Sequence, residues 1–323
     1  MDRSVLEQEI IRIVGAENVL TNESMARHTT FRVGGKARYF VTVPDEASLK
    51  ALLLCLKSDT NIERLPVFLL GNGSNLLVSD SGYEGVIVRL GESFGQIQII
   101  SRDASKGTDM PLVETVRLRA GAGVMLGRLA AFAAEQSLTG LEYASGIPGT
   151  VGGALVMNAG AYGGEMKQVV RLVRLYDRES GEIREVSADE MRFSYRHSIL
   201  KDKPYVALSA EIELRVGDPD AIRGKMEELK EQRREKQPLE YPSAGSTFKR
   251  PEGNYAGKLI MDAGLRGYRV GNAAVSEKHC GFVINEGGAT ASEIYRLIED
   301  VRKAVSSRFG VELEPEVLFL GEF

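Results

Sequence analysis

Cysteine and histidine are scarce in this sequence. Two cysteines, Cys55 and Cys280, cannot build a disulfide framework or a cysteine-based metal site, and they point to a reducing compartment, with cytoplasm as the expected location. Three histidines, His28, His197 and His279, stand far apart and match no metal-ligand spacing, so no metal is expected. Long apolar runs are missing as well. The longest uncharged stretch, residues 145–164, holds seven glycines, one proline and one asparagine and lacks the continuous apolar surface a bilayer requires. The N-terminal MDRSVLEQEIIRIVG places Asp, Arg and two Glu where a secretory peptide needs a basic start and then an apolar core. Excess positive charge is also lacking. With 41 Lys+Arg against 45 Asp+Glu the net charge is −4, which supplies no basic field for nucleic acid. Nothing in the sequence signals a membrane, a nucleic acid or an obligate protein partner.

What is present is an ordinary globular composition, 43% hydrophobic, over 323 residues, a length suited to two or three domains. Glycine is the one excess, 35 residues or about 11% against a usual 7%, and it clusters in a few loops. Apolar residues Val5, Leu6, Ile10, Ile13 and Val14 predict an opening helix that stops at Gly15. A strand at 39–43, a helix at 46–57 and strands at 65–70, 76–80 and 85–90 follow, and a first domain is expected to close near 90. Alternation in 96–100 and 113–123, a helix from 124 to about 135, and strands at 169–177 and 205–216 carry a second domain, 91–215. The charged helical stretch 219–237 opens a third, 216–323. Within it Thr290 and Glu293 form a capping box, Ile294, Leu297, Ile298, Val301 and Val305 make one apolar stripe, and Gly310 ends the helix. The segment VELEPEVLFL, 311–320, is expected to close the chain as a strand.

Four segments could carry chemistry. Gly71, Asn72, Gly73, Ser74 and Asn75 follow a buried strand and can offer backbone N–H and side-chain donors to a phosphate. They fail as a dinucleotide fingerprint, since the third glycine is missing and a strand, not a helix, follows. The same residues are also those of a tight turn. Ser145, Gly146, Ile147, Pro148, Gly149, Thr150, Gly152 and Gly153 let backbone approach a flat or diphosphate-bearing ligand, and Pro148 can open a helix; backbone packed on backbone is the alternative. Two charge-free glycine loops about 70 residues apart suggest a large nucleotide cofactor. In YPSAGSTFKRP, 241–251, Ser246 has no readable His-based triad, and as a proton donor it needs a strongly basic acceptor such as an enolate. Arg196 in FSYRHS and Glu316 in LEPEV read, each alone, as surface ion-pair residues.

Taken together, HTTFRVGG (28–35), GNGSNLL (71–77), SGIPGTVGGALVMNAGAYGGE (145–165), FSYRHS (193–198), SAGSTFKRP (243–251) and LEPEV (313–317) resemble the UDP-N-acetylenolpyruvoylglucosamine reductases of bacterial cell-wall synthesis, of the compact variety, in order along nearly the whole chain. The resemblance implies an α+β flavoenzyme. Two parts of a vanillyl-alcohol-oxidase-like module hold FAD, and a C-terminal α+β domain closes over the sugar nucleotide. It implies reduction of the enolpyruvyl ether of UDP-N-acetylglucosamine enolpyruvate to UDP-N-acetylmuramate by NADPH through FAD, in peptidoglycan precursor synthesis and so in cell shape and division. Carried over by motif, Ser246 is the proton donor, and Arg196 and Glu316 bind and polarise the enolpyruvyl carboxylate. Lys236 in KQP, Arg250 where other members carry Asn, and His279 in SEKH fall at substrate contacts. A flavin oxidase of the same cofactor-binding fold is the alternative, but it often tethers FAD through His or Cys, and neither glycine loop contains one. A nucleotide-binding module without catalysis needs no ordered Arg, Ser and Glu.

Overall fold

A computed structural model describes residues 3–57, 65–105 and 113–323; Met1 and Asp2 of the opening segment lie outside them. The chain forms two compact units, each assembled from separated segments: Met1–Val19, Val41–Gly71 and Val88–Glu231 in one, Leu20–Phe40, Asn72–Ile87 and Gln232–Phe323 in the other. The blocks expected from the sequence, 1–90, 91–215 and 216–323, are contiguous, whereas these units are interleaved. The strands Lys36–Val43 and Tyr83–Leu90 each begin in one unit and end in the other. Among the described residues no helix is long and apolar enough to cross a membrane.

In the first unit the helix Arg3–Val14 buries Leu6, Ile10 and Val14 and stops at Gly15, whose φ of 88° a side chain would resist. The helix Glu46–Lys57 buries Leu49, Leu52 and Leu53 and is capped by Asp45, which accepts the Ser48 N–H at 2.8 Å. An antiparallel sheet runs in the order Ile183–Ser187, Val170–Asp177, Tyr205–Val216, Val113–Gly121, Ile97–Ser105, with Leu138–Thr139 pairing to the end of Tyr205–Val216. Alternation decides its faces. Ala210, Ile212 and Leu214 point into the core, while Glu211 and Glu213 meet Arg119 and Arg117 across the strand pair at 2.7 and 3.0 Å. Such half-exposed pairs contribute at most about 1 kcal/mol each. The core against this sheet includes Leu118, Leu126, Leu129, Leu155 and Val173. The helix expected from 124 starts later, as Leu126–Glu135, because Val124 is engaged elsewhere: its carbonyl accepts the Val151 N–H at 2.8 Å.

The second unit is built around the helix Ala291–Phe309. Thr290 and Glu293 form the expected capping box, and Gly310 ends the helix at φ 66°. Its stripe of Ile294, Leu297, Ile298, Val301 and Val305 is fully buried beside Phe31, Phe248, Ile260 and Val283, each side chain contributing roughly 1.5–3 kcal/mol over exposure. A three-stranded antiparallel sheet, Arg269–Val270, Ala273–Val275 and Val283–Asn285, lies against it. The strand expected over 311–320 is only Leu318–Leu320, parallel to Leu76–Val78. Pro315, which has no N–H to donate, makes an isolated bridge to Phe248 instead.

Candidate active site

In the first unit the glycine-rich run 145–153 leads into the helix Val151–Met157, which begins three residues after Pro148. Thr150, not Pro148, opens it, accepting the Gly153 N–H at 3.3 Å. The N–H groups of Val151 and Gly152 donate to Val124 and Ala122 carbonyls, both at 2.8 Å, so these first-turn donors are engaged within the protein. Gly152 packs on backbone: a Cβ there would lie 3.1 Å from the Ala122 oxygen. Gly153 differs. It is exposed, and its Cβ would meet only Thr150 Oγ1 at 3.6 Å, so the room for a ligand is beside Gly153.

Arg196 is held by the far end of that helix. Ser194 and His197 exchange backbone hydrogen bonds at 3.1 and 3.2 Å, and Arg196 sits between them at φ 55°, a left-handed conformation that costs a non-glycine residue about 1–2 kcal/mol. Two bonds fasten the turn: Asn158 Nδ2 donates to the Ser194 carbonyl at 3.1 Å, and Ser198 Oγ donates to the Val156 carbonyl at 3.1 Å. The guanidinium lies 5.1 Å from the centroid of the exposed Tyr195 ring, and Lys201 Nζ donates to the Arg196 carbonyl.

In the second unit residues 72–75 are braced from behind. Gly73, at φ 62°, packs so closely that a Cβ would fall 2.0 Å from the His28 carbonyl oxygen, and its own carbonyl accepts the Thr30 N–H at 3.1 Å. The HTTFRVGG segment thus supports the GNGSN loop. Asn75 faces another motif, its Nδ2 donating to the Glu316 carbonyl at 3.0 Å and its carbonyl accepting the Leu318 N–H.

Ser246 and Glu316 meet through their neighbour Thr247, whose side chain is fully buried. The Thr247 carbonyl accepts the Glu316 N–H at 2.8 Å, its N–H donates to the Gly281 carbonyl at 2.8 Å, and its Oγ1 accepts the Val283 N–H at 3.0 Å. Segments 243–249, 279–285 and 314–316 are thereby joined side by side. Gly245 precedes at φ 74°, and a Cβ there would meet nothing within 4 Å, so space lies open beside the half-buried Ser246. His279 belongs to the same cluster. Its Nδ1 accepts the Gly281 N–H at 3.0 Å, which puts the ring proton on Nε2, and burial holds the imidazole below its ordinary pKa, so it is a neutral donor at pH 7. Arg250 is exposed, its guanidinium 4.4 Å from the centroid of Tyr255, and Lys236 ends the helix Pro219–Lys236 in solvent.

The residues present fit FAD. Neither glycine loop carries a charge to repel phosphate, Gly73 is anchored on its rear side, and among the described residues a Cβ at Gly153 would meet only Thr150 Oγ1 within 4 Å, which leaves an open flank there. The sequence marked most of these positions through their motifs. Asn158, Thr247 and Ser198 were missed as site residues. The available signal was an Asn directly after a short helix, a residue suited to the left-handed ending it adopts at φ 42°; for Thr247 there was none, since its partners are 34 or more residues away.

Residues 37–187 match the family described as FAD binding domain, and residues 237–320 the one described as UDP-N-acetylenolpyruvoylglucosamine reductase, C-terminal domain. The chain is similar to the UDP-N-acetylenolpyruvoylglucosamine reductase of Agathobacter rectalis, 52% identical over 94% of this chain and 95% of that protein. It is also similar to that of Caldanaerobacter subterraneus subsp. tengcongensis, 48% identical over 98% and 99%. Among solved structures it resembles the reductase of Thermus caldophilus, at 32% identity and a TM-score of 0.75 over 93% of this chain and 98% of that one. An FAD-binding module followed by a reductase-specific C-terminal domain, with such relatives spanning nearly its whole length, makes this chain a member of the UDP-N-acetylenolpyruvoylglucosamine reductase family.

Proposed function

We propose that Arg196, Ser246 and Glu316 carry the substrate chemistry, and that residues 71–75 and 145–153 hold FAD without a covalent link. The chain is an FAD-dependent oxidoreductase that reduces the enolpyruvyl ether of UDP-N-acetylglucosamine enolpyruvate to UDP-N-acetylmuramate with NADPH, in peptidoglycan precursor synthesis. FAD, when bound, relays hydride from NADPH to the terminal enolpyruvyl carbon. The chain's own residues meet the remaining demands. Negative charge gathers toward the substrate carboxylate as the double bond is reduced, and the Arg196 fork, already held in its turn, bonds that carboxylate with two N–H groups. Glu316 assists as the neutral acid or through an intervening partner, since a second bare carboxylate would repel the first. Ser246 Oγ gives its proton to the adjacent carbon, a transfer made feasible by the basicity of an enolate-like acceptor. Lys236, Arg250 and His279 contact the sugar nucleotide, His279 through Nε2–H. Residues 1–90 and 91–215 then supply the cofactor side, and 216–323 the substrate side. In this reading the partners are small molecules only and the compartment is the cytoplasm, which a cysteine content of two, Cys55 and Cys280, supports.

The observation that carries the reading is the join at Thr247, which puts Ser246 and Glu316, 70 residues apart in sequence, on adjacent backbone segments linked at 2.8 Å. The test divides the reaction into halves. Flavin bleaching by NADPH needs no proton from Ser246, whereas return of the colour with the enolpyruvyl nucleotide does. Ser246→Ala is expected to bleach at nearly the normal rate and to recover colour about 10²- to 10⁴-fold more slowly, with Ser246→Cys in between. Wild-type recovery in the alanine variant would remove Ser246 from the mechanism.

A further inference from the structure

Asn158 is a polar side chain at 1% exposure, and every part of its amide is used. Its Nδ2 donates to Glu165 Oε2 at 2.9 Å and to the Ser194 carbonyl at 3.1 Å, and its Oδ1 accepts the Lys167 N–H at 2.9 Å. Only the Ser194 bond reaches out of the local 158–167 turn, and Ser194 is the first residue of the tight turn that presents Arg196. That turn holds Arg196 in a left-handed conformation, which an L side chain keeps only where its surroundings enforce it. On the other stem the fully buried Ser198 is bound to the Val156 carbonyl, so both ends of the turn are referred to one short helix. Asn158 itself stands left-handed at φ 42°, a conformation Asn tolerates better than most residues, and this brings its amide under the Ser194 carbonyl.

We propose that Asn158 is the positioning residue for Arg196: by binding the Ser194 carbonyl it fixes the turn that aims the guanidinium, and it affects the reaction only through Arg196. The inference rests on reading Arg196 as the ligand of the enolpyruvyl carboxylate. A merely structural Asn158 would affect cofactor binding and both half-reactions alike. A positioning Asn158 acts on one half alone.

The experiment uses the flavin-loaded enzyme carrying Asn158→Gly, which keeps the left-handed backbone without strain and removes the donor. Return of flavin colour with the enolpyruvyl nucleotide is expected to slow about 10- to 100-fold, the scale of a displaced catalytic group, with KM for that substrate raised. Bleaching by NADPH and the Kd for FAD should stay within about twofold of wild type. In flavin-free protein, amide exchange over residues 193–198 should quicken, a readout independent of turnover. Arg196→Lys is the benchmark, and Asn158→Gly combined with it should be no slower than Arg196→Lys alone, because two changes acting through one group do not add. Additive slowing, equal slowing of both halves, or normal recovery in Asn158→Gly each overturns the positioning role. Normal recovery in Arg196→Lys instead overturns the reading of Arg196, and the inference with it. Asn158→Asp keeps the acceptor for the Lys167 N–H while losing the donor, and it answers the same question if the glycine variant does not fold.

Discussion

Replacing Gly153 with alanine separates cofactor binding from folding by a single methyl group. Gly153 is the third residue of the helix Val151–Met157, its N–H is capped by Thr150 Oγ1, and a Cβ would meet only that oxygen at 3.6 Å, an ordinary van der Waals distance. The protein therefore has room for the methyl, and alanine is preferred over glycine in a helix by about 0.5–1 kcal/mol. For a unit of this size that raises the melting temperature of the flavin-free protein by about 1–4 °C. The methyl projects into the open flank assigned to FAD, where a cofactor packed on bare backbone has to retreat. A tenfold weaker Kd, about 1.4 kcal/mol, is the expected minimum, and Gly153→Val should weaken it further. Gly152→Ala provides the converse. Its Cβ would press on Ala122 at 3.1 Å from the carbonyl oxygen, so the cost falls on the fold rather than on the ligand. The assay is FAD titration of deflavinated protein by flavin fluorescence, beside thermal melting of the same samples. Wild-type FAD affinity in a folded Gly153→Ala and Gly153→Val pair would refute the reasoning and reduce the glycine run to a packing device.

Arg196→Lys keeps the charge and loses the two-pronged geometry, so kcat/KM for the enolpyruvyl nucleotide should fall well below that of a control exchange at the exposed Arg192, and near-normal turnover would sink the assignment. Acid precipitation of the holoenzyme should release the yellow colour into the supernatant, since neither glycine loop offers His or Cys for a tether; colour kept in the pellet would count against it. Asp80 accepts bonds from the Ala291 N–H at 2.8 Å, the Ser292 N–H at 2.8 Å and the Ser292 hydroxyl at 2.7 Å at the start of the helix Ala291–Phe309. Burial pushes its pKa up, but those bonds outweigh it and hold the carboxyl below its ordinary value. A lowered folded pKa means the stabilisation is complete above the unfolded value near 4 and is lost as pH falls through the folded one. Asp80 is exposed and its charge is screened by solvent, so Asp80→Asn should cost at most about 1 kcal/mol at pH 7 and progressively less in acid, measured by urea unfolding; a pH-independent difference would show that charge is not the cause.

Local chemistry made much of this protein legible before any fold was known. The helix Ala291–Phe309 was readable at both ends because its cap, its stripe and its terminal glycine all act within one or two turns. The loop at 71–75 was readable as strand, loop and strand for the same reason. The sequence singles out Arg196, Ser246 and Glu316 as the candidates proposed above only through the joint pattern of six motifs, since each alone is an ordinary residue in an ordinary turn. What holds them was not readable. The 311–320 segment alternates like a strand, yet only Leu318–Leu320 pairs as one, because Pro315 cannot donate and its neighbours bond to 247–249 instead. Pro148 invites a helix start that Thr150 makes. The two compact units could not be read as contiguous blocks, because the chain passes between them five times, after Val19, Phe40, Gly71, Ile87 and Glu231. Arg196 owes its strained turn to Asn158, 38 residues earlier, and Ser246 owes its place beside Glu316 to Thr247. Short-range caps and periodicities are written in neighbouring residues; hydrogen bonds between distant segments exist only once hydrophobic burial has brought those segments together.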